Sequence, residues 1–557
     1  MIIQDSSQEF DVIILGSGIS GSILATILAK HQARVLMLDK STHPRFAIGE
    51  AMTSHTESLL SVLSHQYSIP ELDYLSSFPK INQNITTSCG YKRAFGFLYH
   101  HENQEQSAQE RILWGVTQSS HLFRQDIDNY FANVAIKYGA NLLSQTIIDT
   151  INIYQEGVEV TIKTGEKYTA NYLVDASGYK SMLAEKFQLR KNPTRCTCHS
   201  RSIFTHMVGV KNIDDCLSGI SNQENILPWY QGTVHHVFDG GWMWVIPFNN
   251  HENSTNPICS VGLNLDIRRF PKNGKSPEQE FQDLIAKFPS VATQFEDAQL
   301  VRDWVSTGRM QYSSHSCTGE RFYILPHATG FIDPIFSVGL IQTFTTISPL
   351  AALILKAIAN NDFSSQQFTA LAKLQQKIFD YYDHIAHHTY IAFSNFHLMN
   401  IWLRVWLLQH TMSVAKIIWS QLLGFLIVDK DGYQEKNILQ FAEIDYLNDI
   451  NPMTEGWGNS YVYKAMAEIA KVEQGLISAD AAAANIQSLV NSTNWLFRSC
   501  GLVNPDNRFM DVFDSPRYNF SFLAYAFWVK LFLKKEDRPF DFKFKNFIDA
   551  VRLGIKV

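Results

Sequence analysis

The sequence predicts an α/β fold, α+β overall: a Rossmann-type dinucleotide-binding domain with an inserted β-sheet domain, followed by a helical C-terminal region. Three observations support this prediction. A glycine-rich turn joins a predicted strand to a predicted helix near the N-terminus. Short apolar strands crowd the middle of the chain and include W-M-W-V-I-P at residues 242–247. From residue 363 onward, helical patterns dominate.

The first element is a strand at residues 10–15, F-D-V-I-I-L, with the apolar and β-branched character of a buried parallel strand. The turn G-S-G-I-S-G that follows has three glycines at the spacing of a dinucleotide fingerprint: Gly16, Gly18 and Gly21. A helix is predicted at 22–30, and a second strand at 34–38 ends at Asp39, where an acidic residue takes the ribose hydroxyls. The unit therefore predicts a bound dinucleotide, without separating FAD from NAD.

Three later segments extend this domain. Residues 172–177, Y-L-V-D-A-S, predict a buried strand that ends in a D-A-S-G turn. Residues 322–325 predict another apolar strand, which runs into P-H-A-T-G-F-I-D-P-I-F-S-V-G-L. A helix is predicted at 127–138, with Arg124 just before it.

This layout resembles the FAD-dependent oxidoreductases of the aromatic hydroxylase and halogenase superfamily. Within it, W-x-W-x-I-P together with F-I-D-P-x-F-S-x-G resembles the flavin-dependent halogenases. H-P-R-F-A-I-G-E at residues 43–50 is similar to that family's strap across the flavin. The resemblance covers about residues 8–350. It implies a Rossmann-type FAD-binding domain and FAD that is supplied reduced, as FADH2.

The resemblance also implies where cofactor and halide bind. The expected FAD contacts are Gly16, Gly18, Gly21, Asp39, Lys40, Ile48, Gly49, Glu50, Arg124, Asp175, Gly178, His327 and Asp333. His327 departs from the family, because many relatives have the aspartate of G-D-A there, against the ribityl chain. Chloride or bromide is expected at Ser337, Val338 and Gly339, where backbone N–H groups enter a helix. The alternative is an ordinary strand-to-helix turn.

The family places a catalytic lysine in a pattern like K-x-G-x-x-F-x-W. The nearest match is Lys92 in K-R-A-F-G-F-L-Y, where Ala94 replaces the glycine and Tyr99 the tryptophan. An apolar setting would lower the lysine's pKa and make its nitrogen reactive. The alternative is a solvated lysine at a strand edge, and Lys80 is the next candidate.

Two tryptophans two residues apart, Trp242 and Trp244, share one face if the segment is a strand, and Pro247 ends regular pairing. The resemblance implies that they and Phe336 shield the flavin. Only hypohalous acid would then pass to the lysine, which halogenates an aromatic substrate. The alternative is an aromatic pair in a sheet core. Tryptophan halogenases have a glutamate where Phe336 stands, which favours a phenolic or pyrrolic substrate, free or carrier-tethered.

Four segments are expected: 1–190 and 301–360 as the FAD-binding domain, 195–300 as a β-sheet substrate-side domain, and 361–557 as a helical region. Strands are predicted within the sheet domain at 234–238, 242–246 and 258–265. Helices are predicted at 345–359, 364–385 and 467–489. No second glycine fingerprint is present for a nicotinamide cofactor, so a separate NAD(P)H flavin reductase is the expected partner.

Composition excludes other classes. A net charge of −6 without blocks of like charge argues against a nucleic-acid partner. Cys196, Cys198 and His199 lack a second pair at metal spacing, so no metal is expected. A non-basic N-terminus predicts no signal peptide and a cytoplasmic protein. The apolar segment 405–428 is expected to be a buried or surface-groove helix rather than a membrane span. For the shorter segment 522–533, peripheral membrane contact is the lesser alternative. A flavin monooxygenase or reductase, or an inactive flavoprotein, stays an alternative.

Overall fold

In the computed structural model, residues 8–219, 227–427, 459–492 and 501–511 are described. These residues form two β-sheets with helices packed around them, which confirms the mixed α/β class. The first sheet contains the predicted dinucleotide-binding unit, and the second contains both tryptophans of W-M-W-V-I-P.

The strands of the first sheet are β1 (Gln8–Leu15), β2 (Val35–Leu38), β5 (Asn141–Leu143), β6 (Ile148–Ile153), β7 (Val158–Ile162), β8 (Lys167–Asp175), β15 (Thr318–Gly319) and β16 (Phe322–Ile324). Their order is β15-β16-β8-β1-β2-β5, with β7 beside β8 and β6 beside β7. β1 is parallel to β2 and β8, and Leu15 pairs with both Leu38 and Asp175. The glycine turn, Asp39 and the D-A-S-G turn therefore meet at the carboxyl edge, where open parallel sheets bind ligands.

The strands of the second sheet are β3 (Gly90–Tyr99), β4 (Arg111–His121), β9 (Ser200–Val208), β10 (Gly232–Phe238), β11 (Gly241–Pro247), β12 (Cys259–Asp266), β13 (Gln299–Leu300), β14 (Val305–Ser306) and β17 (Phe509–Asp511). Their order is β13-β9-β12-β11-β10-β3-β4-β17, with β14 also on β9. β10 lies between β3 and β11, so His235 has Phe97 on one side and Trp244 on the other. One face of this sheet joins the core of the first sheet, and its other face has a separate apolar cluster.

The helices are α1 (Ile19–Lys30), α2 (Ser54–Tyr67), α3 (Pro70–Asp73), α4 (Phe78–Asn84), α5 (Arg124–Lys137), α6 (Met182–Lys186), α7 (Ile213–Cys216), α8 (Pro277–Ile285), α9 (Pro289–Gln294), α10 (Pro326–Thr329), α11 (Val338–Asn360), α12 (Ser365–Ala392), α13 (Phe396–Ile427), α14 (Asn459–Glu473) and α15 (Ala479–Ser492). The last five have many of the apolar side chains that cover the core shared by the sheets. Of these five helices, α11 supplies residues that line the space between the FAD-binding unit and the tryptophan face.

The division into segments stays a prediction, but its first boundary does not separate the two sheets. β3 and β4 lie within residues 1–190 and yet pair in the second sheet. Within residues 301–360, β15 and β16 lie in the first sheet, whereas β14 pairs with β9 of the second sheet.

Two helix predictions need correction. Residues 467–489 are not one helix, because α14 ends at Glu473 and α15 begins at Ala479. Gly475 between them has a φ of +69°, a left-handed conformation that terminates helices. Arg124 does not precede its helix but is the first residue of α5.

Among the described residues, Ile335–Asn360 is long and apolar enough to cross a membrane, and 78% of its most apolar window is buried within the protein. The predicted segment 405–428 falls mainly in α13, where residues Val405 to Leu408 are buried. Residues 522–533 lie outside the described residues.

Candidate active site

The glycine turn after β1 has the close contacts that a dinucleotide fingerprint requires. Gly16 has a φ of +98°, and a Cβ on Gly21 would lie 2.1 Å from the Gly16 carbonyl oxygen. A Cβ on Gly18 would meet only the Asp128 carboxylate, at 3.7 Å, so space is left at the N-terminus of α1. The first N–H groups of that helix have no intrahelical acceptor and can bind a pyrophosphate.

Asp39 is buried at the end of β2, where ribose hydroxyls are expected. Its carboxylate accepts hydrogen bonds from the Ser17 N–H and hydroxyl, both at 2.8 Å, and pairs with Arg45 at 2.6 Å. Although burial opposes its charge, the backbone donors Ser17 and Ser41 and the Arg45 guanidinium lower the pKa of Asp39. Lys40 beside it is exposed.

The strap at residues 43–50 has polar atoms that are suited to a cofactor. His43 Nδ1 and Arg45 Nε are buried and have no hydrogen-bond partner among the described residues. Arg124 fixes the far end of the strap by donating to the carbonyl oxygens of Ile48 and Gly49 at 2.8 and 3.0 Å. These unpartnered polar atoms and the open glycine turn fit the adenosine diphosphate half of FAD.

The D-A-S-G turn closes the same edge of the sheet. Asp175 is fully buried and accepts hydrogen bonds from Ser177 and Ser181, at 2.6 and 2.7 Å from their hydroxyls. Its carboxylate therefore shapes the turn, and Gly178 lines the adjoining cavity with a φ of +74°.

A cavity of about 350 Å³ lies between the strap, the tryptophan face and the start of α11. The lining includes several residues that were predicted from sequence: Ile48, Gly49, Glu50, Gly178, Trp242, Trp244, His327, Asp333, Ser337, Val338 and Gly339. Its apolar walls, with few polar groups, suit a planar ring system such as a flavin.

The turn before α11 has unusual backbone conformations. Phe336 and Ser337 have φ angles of +65° and +58°, in the left-handed region that non-glycine residues rarely adopt. Asp333 stabilises the turn, since it accepts the Ile335 N–H at 3.0 Å and the Tyr390 hydroxyl at 2.8 Å. Burial raises the pKa of Asp333. Strained turns of this kind concentrate at ligand sites.

Gly339 brings the first turn of α11 against His327. A Cβ on Gly339 would lie 2.7 Å from His327 Nε2. Burial lowers the pKa of His327 to about 4, with a smaller effect from Arg124, so the ring is neutral near pH 7. A neutral imidazole therefore stands beside the first turn of α11.

Both tryptophans of β11 lie on the face that lines the cavity. Their ring centroids are 5.9 Å apart. Trp244 fills the space above Gly262, where a Cβ would be 1.9 Å from the indole, and donates to the Ser260 hydroxyl at 3.2 Å. The pair forms a rigid aromatic wall to the cavity.

Lys92 is completely buried on β3, beyond this wall. Its ammonium donates to the Met52 carbonyl oxygen at 2.7 Å and lies 4.0 Å above the ring of Phe95. Strict alternation would place residues 92 and 95 on opposite faces, but the β3–β4 register shifts between Lys92 and Ala94. Burial lowers the pKa of Lys92 to about 7, partly opposed by the charge of Glu57.

Comparison with known proteins identifies the family. Residues 97–392 match the family model described as tryptophan halogenase, and residues 14–60 match a model for an NAD(P)-binding Rossmann-like domain. Monodechloroaminopyrrolnitrin halogenase PrnC of Pseudomonas fluorescens is 40% identical over 88% of this chain and 86% of its own. Tetracycline 7-halogenase of Kitasatospora aureofaciens is 38% identical over 90% of both chains. The chain belongs to the flavin-dependent halogenase family.

A solved structure agrees with this assignment. Halogenase PltM, in complex with phloroglucinol and FAD, superposes with a TM-score of 0.83 at 33% identity, covering 90% of this chain and 99% of its own. The protein is thus an enzyme, a flavin-dependent halogenase with FAD as its cofactor. The fold class, the family and the cofactor predicted from the sequence are confirmed.

Lys80, Pro247 and Phe336 are among the predicted residues of this halogenase that do not line the cavity. Lys80, on α4, is 44% exposed and pairs with Asp73 at 2.7 Å. Pro247 ends β11 and its carbonyl accepts from His121 Nδ1 at 3.3 Å. Phe336 stacks on Trp406 of α13 with ring centroids 4.1 Å apart, and Trp406 meets Phe95 at 5.6 Å.

Sequence reasoning missed several residues around Lys92 in this halogenase. Glu57 on α2 is buried, and His121, His235 and His410 are buried residues whose pKa values are lowered by burial and then by the Lys92 charge or other neighbours. The sequence could have indicated His235, because Thr233, His235 and Val237 are spaced two apart on β10 and therefore share one face of the sheet. Glu57 and His410 had none, since their approach to Lys92 depends on how distant helices pack.

Proposed function

We propose that this halogenase uses FADH2, oxygen and chloride or bromide to make hypohalous acid, and transfers the halogen through Lys92 to a free phenolic or pyrrolic substrate. The observation that carries the proposal is the position of Lys92: fully buried, with its pKa lowered to about 7, and near the cavity that suits a flavin.

Lys92 is suited to act as a nucleophile. At neutral pH a pKa of about 7 leaves much of the side chain as the free amine. The amine nitrogen attacks the halogen: an N–X bond forms, the O–X bond breaks, and the displaced hydroxide leaves as water with one N–H proton. The aromatic ring then takes the halogen from nitrogen, and its displaced proton regenerates the amine.

The other predicted residues serve the step before this one. FAD bound in its reduced form would supply the two electrons that activate oxygen. The first N–H groups of α11, at Val338 and Gly339, and the turn at Ser337 hold halide at the cavity wall. Trp242 and Trp244 keep organic substrate from the flavin, so that a small oxidant alone reaches Lys92.

The substrate class follows from Phe336 and from the relatives. Phe336 places an aromatic ring, stacked on Trp406, where tryptophan halogenases have a carboxylate. A phenol or pyrrole is activated by its own heteroatom and depends less on such a group. PltM was solved with phloroglucinol, which is a phenol.

A free substrate is favoured over a carrier-bound one. The 1H-pyrrole-2-carbonyl-[peptidyl-carrier protein] chlorinase of Pseudomonas fluorescens matches only 65% of this chain, at 24% identity. PrnC and tetracycline 7-halogenase match 88% and 90%, and their names contain no carrier protein. Most of the C-terminal region is therefore shared with PrnC and tetracycline 7-halogenase, the relatives whose names contain no carrier protein.

The test compares Lys92→Ala with Lys80→Ala, using reduced FAD, oxygen, bromide and a phenol panel. Lys92→Ala is expected to reduce halogenated product by at least about 100-fold, because a group that takes part in the chemistry is lost. FAD binding and oxidation of reduced flavin should persist, because Lys92 acts only afterwards. Lys80→Ala should behave as wild type.

Mass spectrometry of the products separates the proposal from its alternatives. Oxygenated or saturated products from the wild type would indicate a monooxygenase or a reductase. No consumption of reduced flavin would indicate an inactive flavoprotein. Near-normal bromination by Lys92→Ala would assign the chemistry to another lysine.

A further inference from the structure

His235 lies at the boundary between the flavin cavity and Lys92. Its side chain lines the cavity and stacks on Phe97 with centroids 4.5 Å apart and planes within 13°. Trp242 is 5.6 Å away on the cavity side. Phe95 stacks on His235 at 6.1 Å and also carries the Lys92 ammonium above its ring. His235 is thus a polar side chain between the aromatic wall and Phe95, and it is close enough to Lys92 for the lysine charge to lower its pKa.

The hydrogen bond of His235 fixes its tautomer. Nδ1 lies 2.9 Å from the Gly96 carbonyl oxygen, which can only accept, so Nδ1 has the proton. Nε2 then has a lone pair. The other backbone contact of the ring, with Thr233, raises the pKa of His235 and is therefore to an acceptor, so no donor among the described residues is bonded to that lone pair. Burial, followed by smaller effects that include the Lys92 charge, lowers the pKa of His235 to about 3. The ring therefore stays a neutral acceptor at physiological pH.

An accessible acceptor at this point discriminates among the small species in the cavity. Neutral hypohalous acid has one O–H donor, which Nε2 can accept. Halide and hypohalite anions have only lone pairs, which Nε2 repels. Once its O–H group is held, hypohalous acid has its halogen, the electrophilic end, free to face another group.

On this basis, which rests on the proposed function, we propose that His235 accepts the O–H of hypohalous acid at Nε2 and directs the halogen toward Lys92. No covalent bond forms or breaks at His235. It binds and orients the oxidant between the flavin cavity and the amine that attacks it, and it delays escape of the oxidant to solvent.

The test uses His235→Phe, which keeps an aromatic ring beside Phe97 but removes the acceptor, and His235→Gln, which restores an acceptor oxygen. His236→Gln is the matched control, because the His236 side chain points to the other face of the sheet, where its Nε2 lies 2.8 Å from Gln294 Oε1. Each variant receives reduced FAD, oxygen and bromide, with and without a soluble β-diketone that traps escaped electrophilic bromine. FAD titration and thermal unfolding report the fold.

His235→Phe is expected to consume reduced flavin normally, to give about five- to tenfold less brominated substrate, and to release correspondingly more trapped bromine. His235→Gln should recover part of the loss, and His236→Gln should match wild type. Unchanged product and trapping in His235→Phe would overturn the inference, and so would a product loss without trapped bromine. If His235→Phe does not fold, His235→Leu replaces it under the same criteria. The Lys92→Ala assay is run in parallel. If Lys92→Ala halogenates normally, the proposed function is wrong. If Lys92→Ala is defective but His235→Phe is normal, only the role of His235 is wrong.

Discussion

At the scale of single residues, the ionisation of Lys92 decides the chemistry. Burial removes water from the ammonium, and Glu57, buried on α2, is the negative charge that partly restores the protonated form. The attacking species is the free amine, so the rate of halogenation should rise as pH increases through about 7. Three buried histidines, His121, His235 and His410, have lowered pKa values and remain neutral over this range.

Glu57→Gln tests this explanation. Removing the carboxylate removes the effect that raises the lysine pKa, so the inflection of the rate–pH profile should move to lower pH. Single-turnover product formation between pH 5 and 9, started with pre-reduced FAD, measures it. Ionisation of hypohalous acid also falls in this range but is the same for both proteins, so the difference between the profiles reports Lys92. A shift to higher pH would contradict the amine mechanism.

Residue types and spacing could nominate Lys92 but not its surroundings. The sequence supplied a lysine near two phenylalanines in a strand. The register shift that turns the ammonium onto Phe95 depends on pairing with β4, about 25 residues away along the chain, and the approach of Glu57 depends on α2 docking. Local patterns do not contain either fact, and this is also why Lys80 could not be dismissed from sequence alone.

At the scale of elements, the turn into α11 brings the S-V-G segment against His327, although the two are about ten residues apart along the chain. Gly339→Ala would place a Cβ 2.7 Å from His327 Nε2, so the imidazole or the helix start must move. Alanine favours helix over glycine by about 1 kcal/mol, so the helix itself should not be weakened. We expect a higher KM for bromide with FAD affinity largely kept.

Gly308→Ala is the control for this substitution, since a Cβ there meets nothing within 4 Å. Halogenation rate against bromide concentration, with parallel FAD titration, gives the comparison. A bromide KM equal to wild type in Gly339→Ala would argue against a halide site at this turn.

Element prediction succeeded where apolar periodicity was strong and failed where a turn was short. β1, β2, β10, β11 and β12 lie close to their predicted positions because buried strands have continuous apolar runs. The break between α14 and α15 was missed because alanine-rich sequence on one side masks a turn that depends on one left-handed glycine. The membership of β3 and β4 in the second sheet was missed because pairing partners are long-range.

At the scale of the whole molecule, the glycine fingerprint accounts for one bound dinucleotide, FAD. The enzyme is therefore predicted to depend on a separate protein, a flavin reductase, that uses NAD(P)H. The β1–α1–β2 unit is the glycine fingerprint of the chain, and the carboxyl edge beside it is the edge at which FAD is expected. The purified enzyme should therefore oxidise NADPH or NADH no faster than free flavin does. Addition of a flavin reductase, or of chemically reduced FAD, should restore halogenation. Steady NAD(P)H turnover by the isolated protein would disprove this.

The substrate that the whole molecule accepts depends on the aromatic residues near Lys92 and on the C-terminal region. Phe95 lies under the Lys92 ammonium, Trp406 meets Phe95, and Phe336 stacks on Trp406. Phe336 is also the position at which the resemblance to tryptophan halogenases implies a carboxylate. An indole carbon attacked by halogen benefits from a carboxylate that stabilises positive charge, whereas a phenol or pyrrole stabilises that charge through its own oxygen or nitrogen. PrnC and tetracycline 7-halogenase, whose names contain no carrier protein, match 88% and 90% of this chain, so most of its C-terminal region lies within those matches.

A substrate panel decides the matter: free tryptophan, free phenols, free pyrroles, and the same phenols and pyrroles as carrier-protein thioesters. Each is supplied with reduced FAD and chloride or bromide, and kcat/KM is measured for each. We expect free phenols or pyrroles to exceed their thioesters and tryptophan by about tenfold or more, the discrimination that 1.4 kcal/mol provides. Phe336→Glu serves as the matched variant, because a carboxylate there should narrow the gap between tryptophan and the phenols. Efficient chlorination of free tryptophan with none of the phenols or pyrroles would disprove the substrate assignment while leaving the role of Lys92 intact.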